Sequence, residues 1–479
     1  MRKINLRKLG VLLMLIALST AYSKDKRPNI VIILCDDLGY NDVGFNGSKD
    51  IKTPNLDKLA DNGMIMTAGY VAHPFCGPSR TSIMTGKYAH TMGAQFNIPS
   101  ESEGTGYGIP LNNKFISKEL QEAGYYTGAF GKWHLGADTP FHPNKRGFDE
   151  FYGFLGGGHD YIPEQYKPKY EFLKQRGSKN IRDYIKPLEH NGTEVDEKEY
   201  ITDGLSREAV NFVYKASEKK QPFFMYLAYN APHVPLQAKK EDMAVFKSIK
   251  DEKRRTYAAM VYAVDRGVGK LVEALKANQQ LENTLLVFFS DNGGKLGKGA
   301  NNFPLTEGKG SAYEGGHRVP MFFHWPNRIK AGQKFHNPVS ALDLYPTFAS
   351  LAKTKPSNAK NLAGTNILPH LQKGTNPHKD EMLYIVRHRT GLSDVGARLN
   401  EWKVVRTANK PWKLFYIKDD ISESKDRSSE FPNKLKAMVK QAEAWSKTNA
   451  EPLWFHAKEE GQLWKEYHMP RFNETFSLN

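Results

Sequence analysis

Asn29-Ile-Val-Ile-Ile-Leu34 is an apolar, β-branched run without polar alternation, and it stops abruptly at Cys35-Asp36-Asp37-Leu38-Gly39. A strand that shows neither face to water must lie inside a sheet covered on both sides, which confines the chain to layered α/β architectures. Phe223–Ala228 and residues 284–289 repeat the pattern, and the latter runs into Asp291-Asn292-Gly293-Gly294. Helical periodicity over 56–63, 115–124 and 255–277 predicts strands alternating with helices. The expected fold is therefore α/β, a large mostly parallel sheet sandwiched by helices. In such sheets ligands bind beyond the carboxyl ends of strands, where Asp36, Asp37, Asp291 and Asn292 fall.

Beyond about residue 375 the texture changes. Met382-Leu-Tyr-Ile-Val386, Trp402-Lys-Val-Val-Arg406 and Trp412-Lys-Leu-Phe-Tyr416 read as short strands between turns, with a helix near 433–445. The expected organisation is an α/β domain over 24–375 and a small C-terminal unit over 376–479, an antiparallel sheet plus a helix. Residues 1–23 read as a signal peptide: Arg2, Lys3, Arg7 and Lys8 precede an apolar run from Val11 to Leu18, and Ala21-Tyr22-Ser23 is a small-x-small cleavage site. That run is too short for a permanent bilayer anchor. The protein is expected to be exported, periplasmic or secreted, with no stable membrane anchor.

The chain holds 68 Lys and Arg against 52 Asp and Glu, a net charge of +16, and loss of the four leader cations leaves +12. Such an excess favours polyanions. Export removes access to genomic nucleic acid, so no nucleic-acid partner is expected, and sulfated or phosphorylated substrates gain weight. The two cysteines, Cys35 and Cys76, exclude a disulfide scaffold.

Three carboxylates and one amide, from Asp36, Asp37, Asp291 and Asn292, suit a hard divalent cation, Ca²⁺ or Mg²⁺, better than zinc. Asp and Asn also favour caps and turns, so each pair alone has a plain structural explanation. Pro74-Phe-Cys76-Gly-Pro-Ser-Arg80 runs into Thr81-Ser-Ile-Met-Thr-Gly86. A lone cysteine before a helix is either a buried thiol or a nucleophile. Cys35, at the end of a buried strand, reads as a small buried thiol.

The segment around Cys76 resembles the signature of type I, formylglycine-dependent sulfatases of the alkaline-phosphatase superfamily. The resemblance extends over Pro28 to about Pro369. Its second signature is Gly124-Tyr-Tyr-Thr-Gly-Ala-Phe-Gly-Lys132-Trp-His134, followed by Ala231-Pro-His233-Val-Pro235 and Gly308-Lys309-Gly310. The resemblance implies that Cys76 is oxidised to formylglycine by a formylglycine-generating or anaerobic sulfatase-maturating enzyme. It implies one bound ion, Ca²⁺ with Mg²⁺ as the alternative, held by Asp36, Asp37, Cys76, Asp291 and Asn292. It makes Arg80 the residue that holds the modified side chain, Lys132 and Lys309 cations for the sulfonate, His233 the general acid and His134 the base. Lys132, His233 and Lys309 would also contact substrate. The hydrated aldehyde offers one hydroxyl to attack and a second to expel sulfate, which a serine lacks.

Substrate identity is less constrained. Gly153-Phe-Leu-Gly-Gly-Gly158-His159-Asp-Tyr161 resembles loops of polysaccharide sulfatases, making His159 a candidate sugar ligand; a structural turn is the alternative. Arg387-His388-Arg389 offers Arg387 for a second sulfate or a uronate; a solvated face is the alternative. The expected function is a secreted sulfatase acting on a sulfated polysaccharide such as an algal galactan, ulvan or a glycosaminoglycan. A formylglycine-dependent phosphodiesterase or phosphonate monoester hydrolase, and a non-catalytic polyanion binder, are the competing readings.

Overall fold

The computed structural model describes residues 27–479 except 180, 220, 357–358, 390–391, 409, 458, 460, 463–475, 477 and 479. The expected leader, 1–23, lies outside the described residues. Among the described residues no helix is long and apolar enough to cross a membrane.

One sheet of ten strands organises the molecule. Its centre is five parallel strands in the order Thr284–Ser290, Asn29–Cys35, Phe223–Ala228, Tyr126–Lys132 and Glu150–Phe154. Antiparallel strands enter at both edges: Met321–His324 beside Thr284–Ser290, and Leu188–His190 beside Glu150–Phe154. The parallel centre is explained by sequence, since the apolar runs bury both faces. Ile30, Ile32 and Leu34 join one apolar cluster while Val31, Ile33 and Cys35 join the other. Helices Ile201–Lys219 and Glu252–Ala277 cover the second face through residues such as Leu205, Phe212, Met260 and Leu271. Helices Cys76–Thr85, Ile116–Glu122 and Leu344–Leu351 cover the first through Ile83, Leu120 and Phe348. Each such fully buried side chain contributes about 1.5–3 kcal/mol relative to exposure.

Register places the functional end. Cys35 pairs with Ser290, so Asp36 and Asp291 leave the sheet side by side, and Asp291 N donates to Cys35 O at 2.9 Å. Ala228 pairs with both Leu34 and Gly131, which brings Lys132 out at the same level.

Strands Leu383–Arg389, Leu392–Leu399, Trp402–Thr407 and Lys413–Tyr416 form a separate antiparallel sheet in sequence order. The expected sheet had three of these strands. Ser393, Asp394 and Gly396 interrupt the apolar signal of Leu392–Leu399, although Val395 and Ala397 are fully buried. Helix Pro432–Ser446 lays Met438, Val439 and Ala442 against Val395, Val404 and Leu414.

Two buried ion pairs tie this unit to the large sheet's domain. Lys403 Nζ lies 2.9 Å from Glu314 Oε1, and His378 Nε2 lies 2.9 Å from Asp343 Oδ2. Burial alone would lower the proton affinity of His378, but Asp343 outweighs it and the pKa is raised. A raised folded pKa contributes stability below the unfolded value of about 6.5, and that contribution is lost as pH rises through the folded value. The melting-temperature gap between wild type and His378→Gln should therefore be widest below pH 6 and narrow as pH rises. A gap independent of pH would refute the ion pair.

Candidate active site

Cys76 opens helix Cys76–Thr85, after Phe75 in an extended conformation. Pro78 fits the first turn because no intrahelical N–H is needed there, and Gly86 closes the helix in the left-handed conformation. The helix start is set against the carboxyl ends of the parallel strands. Cys76 Sγ lies 3.3 Å from Asp36 Oδ1 and 3.1 Å from Lys309 Nζ, and the residue is 2% exposed. Cys35 and Cys76 are both free thiols, so no disulfide competes for Cys76.

Around the sulfur three carboxylates meet three cations. Lys132 Nζ donates to Asp36 Oδ2. Lys309 Nζ donates to Asp37 Oδ1 at 2.5 Å. Arg80 Nε donates to Asp291 Oδ2 at 2.8 Å, and its Nη1 donates to Lys132 O at 2.8 Å, so one guanidinium fixes both a carboxylate and the backbone that carries Lys132. Gly131 permits that backbone path: its φ is +109°, and a Cβ would sit 2.0 Å from Ala228 O.

Burial pushes the Asp291 carboxyl up to about 7, with the Asp36 charge adding to the effect. Burial acts the same way on Asp36, but Lys132, His233 and Arg80 outweigh it and hold that carboxyl well below its usual range. Burial and then Asp36 push the Cys76 thiol up to about 12, so among these protein charges the sulfur keeps its proton.

The two histidines close the site. His233 Nδ1 faces Val234 O at 2.7 Å; a carbonyl only accepts, so Nδ1 carries the proton and Nε2 presents a lone pair, 3.8 Å from Asp37 Oδ2. Burial lowers the His233 pKa to about 4. His134, at φ +62°, is also buried, and burial followed by Lys132 and Arg80 holds it neutral. Gly157 makes room for it, since a Cβ there would lie 2.9 Å from His134 Nε2.

The donor set fits a hard cation. Asp37 Oδ2, Asp291 Oδ1 and Asn292 Oδ1 are buried oxygens without a hydrogen-bond partner, a costly state unless a cation takes them up. Asp36, Asp37, Cys76 and His233 also offer ligand atoms within 4.8 Å of one another. His233 was not among the expected ligands, and its proximity follows from the turn after Phe223–Ala228 rather than from sequence spacing.

Cys76, Arg80, Lys132, His134, His233, Lys309, Asp36, Asp37, Asp291 and Asn292 thus converge on one buried site. Arg387 lies at its margin, donating to Gly310 O at 2.6 Å. His159 is not among these converging residues. It is fully buried, its Nδ1 and Nε2 face Asp160 O at 2.5 Å and Lys186 O at 2.7 Å, and its ring packs on Tyr166. Its geometry is that of a loop brace, the structural-turn alternative for this loop. Sequence reasoning also missed the supporting groups. Tyr257 OH donates to Asp37 O at 3.1 Å and accepts from Gly39 N at 3.0 Å. Ser290 Oγ donates to Asn292 O at 2.8 Å and accepts from Leu38 N at 3.0 Å. A hydroxyl closing the apolar run 284–289 was the available signal for Ser290.

This concentration of cations around a helix-starting cysteine suits an anionic ester, and comparison with known proteins agrees. The Sulfatase family model matches residues 28–354, and the chain belongs to that family. A second model, "N-sulphoglucosamine sulphohydrolase, C-terminal", matches 308–445. Among curated relatives, N-acetylgalactosamine-6-sulfatase of Mus musculus is 34% identical over 365 residues, covering 72% of this chain and 66% of the relative. The chain thus spans about two thirds of that relative's length. Arylsulfatase J of Mus musculus is 30% identical, covering 90% of this chain and 78% of the relative. A crystal structure of Ps i-CgsB in complex with k-i-k-neocarrahexaose is similar at 61% identity and a TM-score of 0.92, covering 94% of this chain and all of that one. Family membership implies a divalent metal and a formylglycine.

Divalent cation binding should raise the melting temperature, because the three orphaned oxygens gain a ligand only when folded. At a free ion concentration of about 100 Kd the gain is about 2.7 kcal/mol. Asp291→Asn should shrink the Ca²⁺-induced shift. An identical melting temperature with Ca²⁺ and with chelator would overturn the site.

Proposed function

We propose that this protein is an exported sulfatase that hydrolyses sulfate esters on a carrageenan-type galactan or its oligosaccharides, using a formylglycine made from Cys76. The observation that carries the reading is the placement of Cys76 Sγ 3.3 Å from Asp36 and 3.1 Å from Lys309 at the edge of a set of orphaned buried oxygens. The likeness to a protein crystallised with k-i-k-neocarrahexaose supports the galactan assignment over ulvan or a glycosaminoglycan.

Asp36, Asp37, Asp291 and Asn292 would hold one cation, Ca²⁺ in this reading, with residue 76 beside it. When present, the cation supplies positive charge to the sulfonate oxygens and the formylglycine supplies a hydroxyl nucleophile. Lys132 and Lys309 bind the sulfonate oxygens and offset the charge that builds on them in the transition state. Arg80 fixes the strand end and Asp291, keeping the cations in place without reorganisation. His233, whose Nε2 lies 3.8 Å from Asp37 Oδ2, is the general acid in this reading. A bound anionic sulfate raises its proton affinity, the direction required for it to protonate the departing alkoxide. His134, neutral and buried, is the acceptor for the proton released as sulfate departs. The catalytic domain in this reading is 24–375, the C-terminal unit 376–479, and the leader 1–23 directs export to a maturation enzyme and the periplasm or medium.

Mass spectrometry of the tryptic peptide 59–80 should show formylglycine at position 76, with oxygen replacing the thiol and one hydrogen. Cys76→Ala should lower sulfate release by about 10⁴-fold or more with the fold intact. Lys309→Ala should lower kcat by about 10²–10³-fold. Faster hydrolysis of a matched phosphate diester or phosphonate ester than of the sulfate ester would favour the phosphohydrolase reading, and an unmodified Cys76 with no turnover would favour a binding protein.

A further inference from the structure

A cavity of about 450 Å³ lies where the edge of the large sheet meets the small C-terminal sheet, lined by Arg318, His336, Arg398, Asn400, Glu401 and Lys418 among others. One wall continues strand Met64–Met66 through Thr67 and Ala68. The facing wall is the turn that joins Leu392–Leu399 to Trp402–Thr407. Among the described residues that line it, three are cations and Glu401, which is exposed, is the one carboxylate.

Arg398 sets the character of this cavity. It is 8% exposed, and no carboxylate pairs with it among the described residues. Its Nε donates to Asn400 O at 2.8 Å, and its Nη1 donates to Tyr70 OH. Its Nη2 has no hydrogen-bond partner among the described residues and keeps solvent access, so it opens on the cavity. Asn400 supplies a second donor close by. Its Oδ1 accepts from Asn376 Nδ2 at 3.0 Å, which fixes the amide and leaves its own Nδ2 to the cavity.

The charge count behind Arg398 points the same way. Tyr70 OH donates to Glu314 Oε2 at 2.6 Å. Glu314 also meets Arg318 at 3.1 Å and Lys403 at 2.9 Å, and Lys403 meets Glu423 at 2.9 Å. The linked set holds three cations, Arg318, Arg398 and Lys403, and two carboxylates, Glu314 and Glu423, all at least nine-tenths buried. Even with both carboxylates ionised, one positive charge is left over. A buried charge without a counter-ion is costly, and Arg398 is the member of the set with a donor still open to a ligand.

We infer that this cavity is a binding site for a tetrahedral oxyanion, a sulfate or phosphate group, held by Arg398 Nη2 and Asn400 Nδ2. The guanidinium N–H groups match the oxygens of such a group, and exposed Lys418 adds attraction at the rim. The site is distinct from the one at Cys76. Arg398 connects to that site through Tyr70 and Glu314, the residue that opens the short helix after the Lys309 loop. The bound anion balances the set and braces the junction between the two sheets. A free ion and a half-ester on a sulfated polymer present the same oxygens, so the inference does not depend on the reaction at Cys76.

Equilibrium dialysis with radiolabelled sulfate, at an ionic strength held constant with chloride, tests this on the Lys309→Ala protein, whose catalytic centre has lost a sulfonate cation. At least one sulfate per chain should be retained. Arg398→Gln in that background should weaken the binding of one sulfate by about tenfold or more. Arg398→Lys keeps the charge but not the fork; it should weaken binding less, and it serves if Arg398→Gln does not fold. Selenate soaked into crystals should give anomalous density within hydrogen-bond reach of Arg398. A sulfate count and affinity indifferent to both Arg398 variants, or selenate density beside Cys76 alone, overturns the site. Displacement of the label by a sulfated galactan hexasaccharide at lower concentration than by inorganic sulfate upholds the site and assigns it to the polymer's half-esters. Equal or weaker displacement upholds it and assigns it to the free ion.

Discussion

Everything about this site depends on three carboxylates and three cations packed together out of water. Asp36, Asp37 and Asp291 balance Arg80, Lys132 and Lys309 with almost no solvent access. Taking so many charges from water is expensive, and breaking one buried pair typically costs about 3–5 kcal/mol because its partner is left uncompensated. The parallel sheet makes the cost tolerable by fixing the groups in advance. Asp36 and Asp291 leave neighbouring strands in register, and Arg80 holds one of them while anchoring the backbone of Lys132. A divalent cation held among these carboxylates would add positive charge to the set, the direction that favours an anionic ester.

Much of this was legible in the sequence because it rests on short-range patterns. The run 29–34 announced a doubly covered strand, and the acidic group after it announced a ligand-binding strand end. The cysteine before a helix start was legible too, although the helix's ten-residue extent, with a proline in its first turn and a glycine at its end, is a finding of the structure. What was not legible depends on packing between distant segments. Leu392–Leu399 is polar enough to hide as a strand, yet it pairs on both sides in the small sheet. His159 was a candidate ligand because its glycine-rich loop resembles loops of polysaccharide sulfatases, with a structural turn as the alternative. Only the approach of Lys186 O and Asp160 O shows that its nitrogens are engaged internally. Tyr257 shapes the Asp37 turn from across the chain, and no local motif points to it.

The small C-terminal sheet is part of the same mechanical assembly. Lys403 Nζ reaches Glu314 Oε1 at 2.9 Å and His317 Nε2 at 3.1 Å. Glu314 Oε2 in turn accepts from Tyr70 OH at 2.6 Å and Arg318 Nη1 at 3.1 Å. Burial would raise the Glu314 carboxyl, but Lys403 and Arg318 outweigh it and hold the carboxyl well below its usual range. The loop that carries Lys309 to Cys76 is thus clamped from the far side by residues nearly a hundred positions later.

The burial of Cys76 also sets a schedule for biosynthesis. A side chain 2% exposed, flanked by Lys309 and Asp36, cannot reach into the active site of another protein. Any enzyme that oxidises it must therefore work on the chain while the parallel strands and the Lys309 loop are still apart. Ribosome output favours this order, because residue 76 emerges long before the segment containing Lys403 that clamps the loop. If Cys76 is matured by another enzyme, folding rate would compete directly with that step, and a chain that closed too quickly would keep its thiol.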